Sequence, residues 1–365
     1  MGDILHALPA VTALRAAHPE WEIGWVVDPR WQALLKAGPG GLTDLETRNQ
    51  RSVEHKQRTE GSDGYGLSHS LPAQTLVNRL HFAAVREWKR RPLNARTARE
   101  IKALRRELRA CAYDAVIDLQ GAVRSAMIAR MAGCRRVIGE SRPREWAARW
   151  LFSERVATTG AHVAEQDVEV ASAVAGEALA VAKPLLPSDP AAEAWCDELL
   201  APLGDRPVVL LMPGAGWGAK RWPPARYAMV AKGLAERDFR VLVNAGPGEE
   251  ELAGEVVEGS GGAAEALNAS LAQLIALTRR IALCVGGDTG PLHLACALGR
   301  PVVGIYGPTD PSRNGPFGTR AKVLRNRASR RDHSRRSAPE AGLLTITPED
   351  VLRTATDLLA EGDGE

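Results

Sequence analysis

Three times in the second half of the chain a short, unbroken apolar run gives way directly to glycine: "RPVVLLMPGAG", "FRVLVNAGPGEEE" and "IALCVGGDTG". Runs of this kind without polar alternation suit strands buried on both faces, the environment of a parallel sheet covered by helices. The segments "PARYAMVAKGLAERD" and "PLHLACALG" read as helices, the second stopping at Gly299, and "RPVVGIYGPTDP" adds a last strand and loop. Strands and helices alternating at these lengths predict a doubly wound α/β fold. The glycine loops all follow strands, so they fall at the carboxyl edge of one sheet, where such folds bind ligands.

The first half alternates less regularly. "WEIGWVVDP", "YDAVIDLQG" and "RRVIGE" read as strands, about Thr97 to Ala110 as a helix, and "EWAARWLFSERV" as a return to helix. The polar stretch "TDLETRNQRSVEHKQRTEGSDGYGLSHS" breaks all periodicity and predicts an exposed insertion over about 43–70. A single core rarely grows past roughly 250–300 residues, so 365 residues favour two domains. Prolines and aspartates interrupt an alanine run at "AKPLLPSDPAAEAW". The expected division is a domain over 1–182, a second over 190–347, and a helix and tail over 348–365.

The chain opens "MGDILHALPAVTALRAAHP", a tight turn into a helix with Leu5, Leu8, Val11 and Leu14 at helical spacing. A turn of this kind normally follows a buried strand. The expectation is therefore that the first strand of the N-terminal sheet is missing from this sequence, which would be a shortened form of a product beginning upstream.

No apolar stretch approaches the ~20 residues of a membrane span and no secretory leader is legible, which predicts a cytoplasmic protein. Five widely spaced cysteines without a C-x-x-C pair argue against a disulfide framework or a zinc site. Net charge is only +3, yet "VREWKRRPLNARTAREIKALRRELRA" holds ten Arg/Lys against three Glu, and "RAKVLRNRASRRDHSRR" eight against one Asp. Such segments suit an anionic partner; a solvated helix face and an exposed loop are the plainer alternatives.

"GGDTGPLHLA" is the most informative loop. Gly287 and Gly290 allow close backbone approach, a helix opening near Pro291 aims free N–H groups at an anion, and Thr289 adds a hydroxyl. This is a diphosphate cradle without the spacing of a dinucleotide fingerprint or a P-loop. Asp288 reads either as a ligand contact or as a helix N-cap, and His293 either as a ligand contact or as a core histidine. Lys220 and Arg221 in "GWGAKRWPPARY" can clamp a phosphate. Of Glu249 and Glu250, one can bind a ribose or base while the other favours a helix start.

Together "MGDILHALPAVTALRAAHP", "YDAVIDLQGAVRSA", "AKRWP" and "GGDTGPLHLACALGRPVVGIYGPTDP" resemble the ADP-heptose:lipopolysaccharide heptosyltransferases of glycosyltransferase family 9, the heptosyltransferase I branch most closely. The resemblance runs in order over nearly the whole chain. It implies a GT-B fold of two Rossmann-like domains facing across a cleft. It implies inverting, metal-independent transfer of L-glycero-D-manno-heptose from ADP-heptose to Kdo of the lipopolysaccharide inner core (Kdo-lipid A), with no cofactor. By the same resemblance the general base falls on Asp3. Donor contacts fall on Lys220, Asp288, Thr289, Gly290 and His293, and on Glu249 or Glu250. Acceptor contacts fall on Arg86, Lys89, Arg90, Arg91, Gln120 and Arg124. The expected place of work is the inner face of the inner membrane, with a transient surface contact and no nucleic acid. Alternatives are a transferase for the second heptose, a nucleotide-sugar epimerase of the same fold, or a non-catalytic protein that binds anions or lipid.

Overall fold

The computed structural model describes residues 1–37, 42–43, 76–90, 94–332 and 336–361. Apart from Thr43, the insertion expected over about 43–70 lies outside the described residues. Two compact units emerge, one from His6 to Asp189 and the other from Pro190 onward together with Met1–Leu5. The break falls inside "AKPLLPSDPAAEAW", where proline and aspartate end regular structure.

In the first-half unit β1 (Gly24–Val27) pairs in parallel with β3 (Arg79–Phe82), and β2 (Leu42–Thr43) pairs antiparallel with β7 (Pro187–Ser188). A second parallel sheet runs β4 (Ala115–Asp118), β5 (Arg136–Glu140) and β6 (Glu154–Val156) in that order. The opening helix, Gly2–Ala17, serves both sheets: Ala10 and Leu14 share a core with Ile23 before β1, Ile117 in β4, and Val168 and Ala171 of the helix Val163–Ala175. The basic helix runs Ala95–Ala110, opened by Asn94, whose side chain accepts the Thr97 N–H at 2.9 Å. It buries Leu104 and Leu108 and leaves its arginines outward.

"EWAARWLFSERV" departs from the helix expected of it. It makes one 3₁₀ turn, Trp146–Leu151, and then β6. Ser153 donates its N–H to Val137 O at 2.8 Å and accepts the Val137 N–H on Oγ at 2.8 Å. Those two bonds draw the chain alongside β5, and the ladder outweighs local helical preference.

The turn after β4 is held by Asp118, whose buried carboxylate accepts the N–H of Gln120 at 2.9 Å, the N–H of Gly121 at 3.1 Å and the Ser125 hydroxyl at 2.8 Å. Burial pushes the Asp118 carboxyl above its ordinary range, against those three bonds. Gly121 has φ +62°, and a methyl group there would lie 2.9 Å from the Arg144 nitrogen. Gly121→Ala is therefore expected to destabilise the protein by about 1–2 kcal/mol or more, since an L side chain is disfavoured in left-handed backbone even before the clash. Thermal melting checks this: an unchanged melting temperature would contradict it.

The second-half unit is built on six parallel strands: β8 (Val208–Met212), β9 (Arg240–Asn244), β10 (Ala264–Leu267), β11 (Leu283–Gly287), β12 (Val302–Tyr306) and β13 (Ala321–Arg325). Their spatial order is β10-β9-β8-β11-β12-β13. Every residue of β8, β11 and β12 is buried, as their unbroken apolar sequences require. The closing helix Pro348–Ala360 sets Val351, Ala355 and Leu358 into the same core as Tyr227, Val230 and Leu234 of the helix Pro224–Ala235. From β8 the chain moves outward through β9 to β10, then returns to place β11 on the other side of β8. This reversal leaves a crevice at the carboxyl ends of β8 and β11.

Candidate active site

The segments that leave β8 and β11 carry Lys220 on one side and Asp288, Thr289, Gly290 and His293 on the other, and the crevice brings them together. The β8 loop is anchored at its base. Trp222 donates Nε1–H to Ile346 O at 3.2 Å, the Tyr227 hydroxyl donates to Met212 O at 3.3 Å, and Ala219 bonds through its backbone to Arg336 and Glu340. Lys220 is thereby fixed, with its ammonium 4.3 Å from the centre of the Trp217 ring.

From there Lys220 Nζ forms an ion pair with Asp288 Oδ2, and His293 Nε2 shares a 3.1 Å hydrogen bond with Asp288 Oδ1. The Lys220 and Asp288 side chains are 11% and 12% exposed, so the pair is held largely out of water. Burial alone would raise the Asp288 carboxyl; the hydrogen bond from His293 and the adjacent Lys220 charge overcome it and hold the group well below the usual carboxylate range. With the carboxylate ionised, the imidazole must supply the proton in that bond.

Asp288 is thus not the helix N-cap. That position belongs to Thr289, which makes no capping bond from its side chain, ahead of the helix Gly290–Ala297. The first bond of that helix is His293 N–H to Thr289 O at 3.3 Å, so the N–H groups of Gly290 and Leu292 precede it at the crevice. Among the described residues Thr289 Oγ1 finds no hydrogen-bond partner although buried, and neither does the Tyr306 hydroxyl at the end of β12. Orphaned hydroxyls beside a helix N-terminus mark a place built for a polar group.

The two glutamates separate cleanly. Glu249 Oε1 accepts the Ala215 N–H at 3.1 Å and lies 3.6 Å from Arg221 Nη2. A methyl group on Gly214 would come within 2.0 Å of Glu249 Oε2, so glycine is what admits the carboxylate to the β8 loop. Glu250 instead accepts the Gly248 N–H at 3.0 Å at the exposed start of its own helix. Glu249 is the member turned toward the crevice.

The chain start reaches the same place. A methyl group on Gly290 would lie 2.7 Å from Met1 Cβ and Sδ, and one on Gly2 would lie 3.7 Å from His293 Cδ2. Asp3, exposed in the first turn of its helix, follows directly, and Met1–Leu5 group with this unit.

The acceptor candidates lie in the first-half unit. Arg86 is exposed on the short helix Val85–Arg90, whose last turn carries Lys89 and Arg90; Arg91 lies outside the described residues. Gln120 and Arg124 are exposed beyond the carboxyl end of β4, on either side of the Gly121 turn. Three groups escaped the reading of the sequence. Asp118, which shapes that turn, and Tyr306 sit in strands where nothing sets them apart. Trp217 was visible only as an aromatic near Lys220.

A model of glycosyltransferase family 9 (heptosyltransferase) matches residues 101–343. Lipopolysaccharide heptosyltransferase 1 of Escherichia coli (strain K12) is 28% identical over 98% of this chain and 97% of its own. Lipooligosaccharide heptosyltransferase 2 of Haemophilus influenzae is 30% identical, over 50% of this chain and 57% of its own. The structure of the E. coli heptosyltransferase WaaC with ADP-2-deoxy-2-fluoro heptose superposes with a TM-score of 0.69 at 25% identity, over 98% of this chain and 96% of that one. The α/β fold of this chain, with its parallel sheets, matches the GT-B heptosyltransferase structures.

Proposed function

The chain belongs to glycosyltransferase family 9, the heptosyltransferases, and from that premise we propose that it transfers L-glycero-D-manno-heptose from ADP-heptose to Kdo of Kdo-lipid A, with inversion. The observation that supports this reading is the packing of Met1 and Gly2 against Gly290 and His293, which sets the backbone next to Asp3 beside the loop of donor candidates. Asp3 takes the proton from the acceptor hydroxyl as its oxygen attacks the anomeric carbon. The bond from that carbon to the diphosphate breaks on the opposite face, and ADP departs with the electron pair. Lys220 and the N–H groups of Gly290 and Leu292 stabilise the charge that grows on it, with no cofactor called on. Thr289 supplies a hydroxyl to the diphosphate, His293 and Asp288 hold Lys220 in place, and Glu249 receives the ribose.

Arg86, Lys89, Arg90, Arg91, Gln120 and Arg124 are assigned to the anionic Kdo and the lipid A phosphates. No helix among the described residues is long and apolar enough to cross a membrane. The lipid-linked acceptor places the work at the inner face of the inner membrane. Transfer of the first heptose is favoured over the second because the alignment with heptosyltransferase 1 spans nearly the whole chain and that with heptosyltransferase 2 about half.

The test is incubation of the purified protein with ADP-heptose and either Kdo-lipid A or the same acceptor already carrying one heptose, read by mass spectrometry. One added heptose on the first acceptor alone is expected. Addition only to the second makes the protein a second-heptose transferase. A nucleotide sugar of altered configuration, read by NMR because its mass is unchanged, with neither acceptor modified would replace the reading with an epimerase.

A further inference from the structure

On the first-half unit the turn Trp146–Leu151 buries Ala148 and directs two tryptophans outward, Trp146 at 57% exposure and Trp150 at 71%. Between them stands Arg149, its guanidinium 4.0 Å from the Trp146 ring centre and 5.3 Å from that of Trp150. The three side chains form one layer, ordered by the cation over the ring faces. The neighbouring helix Val123–Met131 packs on this turn through Ala126 and Ala129 and exposes Arg124, Met127 and Arg130 on its outer side. Arg142 and Arg144 are exposed where the chain enters the turn. The nearby acids are engaged: Glu145 accepts the Val123 N–H at 2.9 Å, Glu140 accepts the Thr158 hydroxyl at 3.0 Å, and Glu154 pairs with Arg136 at 2.8 Å.

Two indoles standing in water are a cost that a folded surface rarely carries without a use. We propose that the Trp146–Arg149–Trp150 layer, with Arg130, Arg142 and Arg144 around it, is the surface that docks this protein on an anionic phospholipid bilayer. Indole rings settle at the depth of lipid headgroups, where one edge meets acyl chains and the N–H meets water. The surrounding arginines complement negative headgroups, an attraction that an uncharged protein partner would not offer. Arg130, Arg142, Arg144 and Arg149 outnumber the carboxylates Glu140 and Glu145, and Glu154 is paired with Arg136, so the patch carries the positive surplus that anionic lipid requires. The assignment rests on the lipid-linked acceptor proposed above, which is what gives contact with a bilayer its use.

Sedimentation with vesicles tests it without turnover. The protein is expected to bind vesicles containing phosphatidylglycerol and to leave vesicles of phosphatidylcholine alone in solution. Trp146→Ser/Trp150→Ser should weaken binding by about tenfold or more, and Arg149→Glu should do likewise if the double variant folds poorly. Met229→Ser, which removes a hydrophobe 54% exposed on the other unit, should bind as the unaltered protein does. Transfer to an acceptor stripped of its acyl chains should be unchanged in all three variants. Failure of the unaltered protein to bind the anionic vesicles, or equal binding by the tryptophan and arginine variants, would overturn the proposal. Loss of transfer to the deacylated acceptor would overturn it too, by making the patch a sugar site. Vesicle binding by a protein that transfers heptose to no acceptor would sink the proposed reaction and leave the docking surface standing.

Discussion

Asp3→Asn is expected to lower the turnover of heptose transfer by about 10²–10⁴-fold, the range that a positioned general base contributes, while ADP binds as before. Asparagine keeps the size and shape of the side chain, so the packing of Met1 against Gly290 and of Gly2 against His293 survives. What disappears is the group that takes the acceptor's proton. A structural role for Asp3 would show differently, as a fall in melting temperature or in nucleotide affinity, because its neighbours lie on the turn that carries the donor candidates. The measurements are turnover at saturating ADP-heptose and Kdo-lipid A, and calorimetric titration with ADP. Asp3→Glu, with its carboxylate one methylene further out, should recover part of the rate; turnover within a few-fold of the unaltered protein in Asp3→Asn would remove Asp3 from the mechanism.

The second-half unit was legible in advance because its sequence obeys one rule at a time. Short apolar runs without alternation, rich in valine and ended by glycine, suit doubly covered strands, and glycine directly after them marks the binding edge. What the sequence withheld was partnership across the crevice. Asp288 looks like an N-cap from its neighbours alone, since a short acid just before a helix usually is one. Its partner Lys220 stands 68 residues earlier, and only the return of β11 to the flank of β8 brings the two together. Glu249 and Glu250 are indistinguishable in sequence and are separated by the space that Gly214 leaves open. In the first-half unit the strands are short and less regular, and "EWAARWLFSERV" carries a helical pattern that the Ser153 ladder overrides. The same override turns Trp146 and Trp150 outward, where a helix reading had given them no task.

Lys220→Met is expected to abolish measurable donor binding and to destabilise the protein by about 3–5 kcal/mol, the cost of leaving one charge of a buried pair uncompensated. The cost is large because both side chains are nearly out of water and Asp288 loses its cation while keeping the bond to His293. Lys220→Met/Asp288→Asn should regain much of that stability, since no charge remains stranded, yet bind ADP-heptose no better than the single variant, since the cation for the diphosphate is still absent. Acid titration supplies an independent check. The folded-state Asp288 carboxyl lies below its unfolded value, near ~3.9, so its contribution to stability is complete above that value. It is lost as pH falls below about 4 toward the folded-state value. Asp288→Asn should lack this acid-dependent part of the stability curve, and in the Lys220→Met background the loss should begin at higher pH, because the carboxylate has lost its cation. An Asp288→Asn protein with the same melting temperature and the same acid limb as the unaltered chain would show that the pair contributes nothing to stability, and the donor site would then have to be built without Lys220 as its fixed cation.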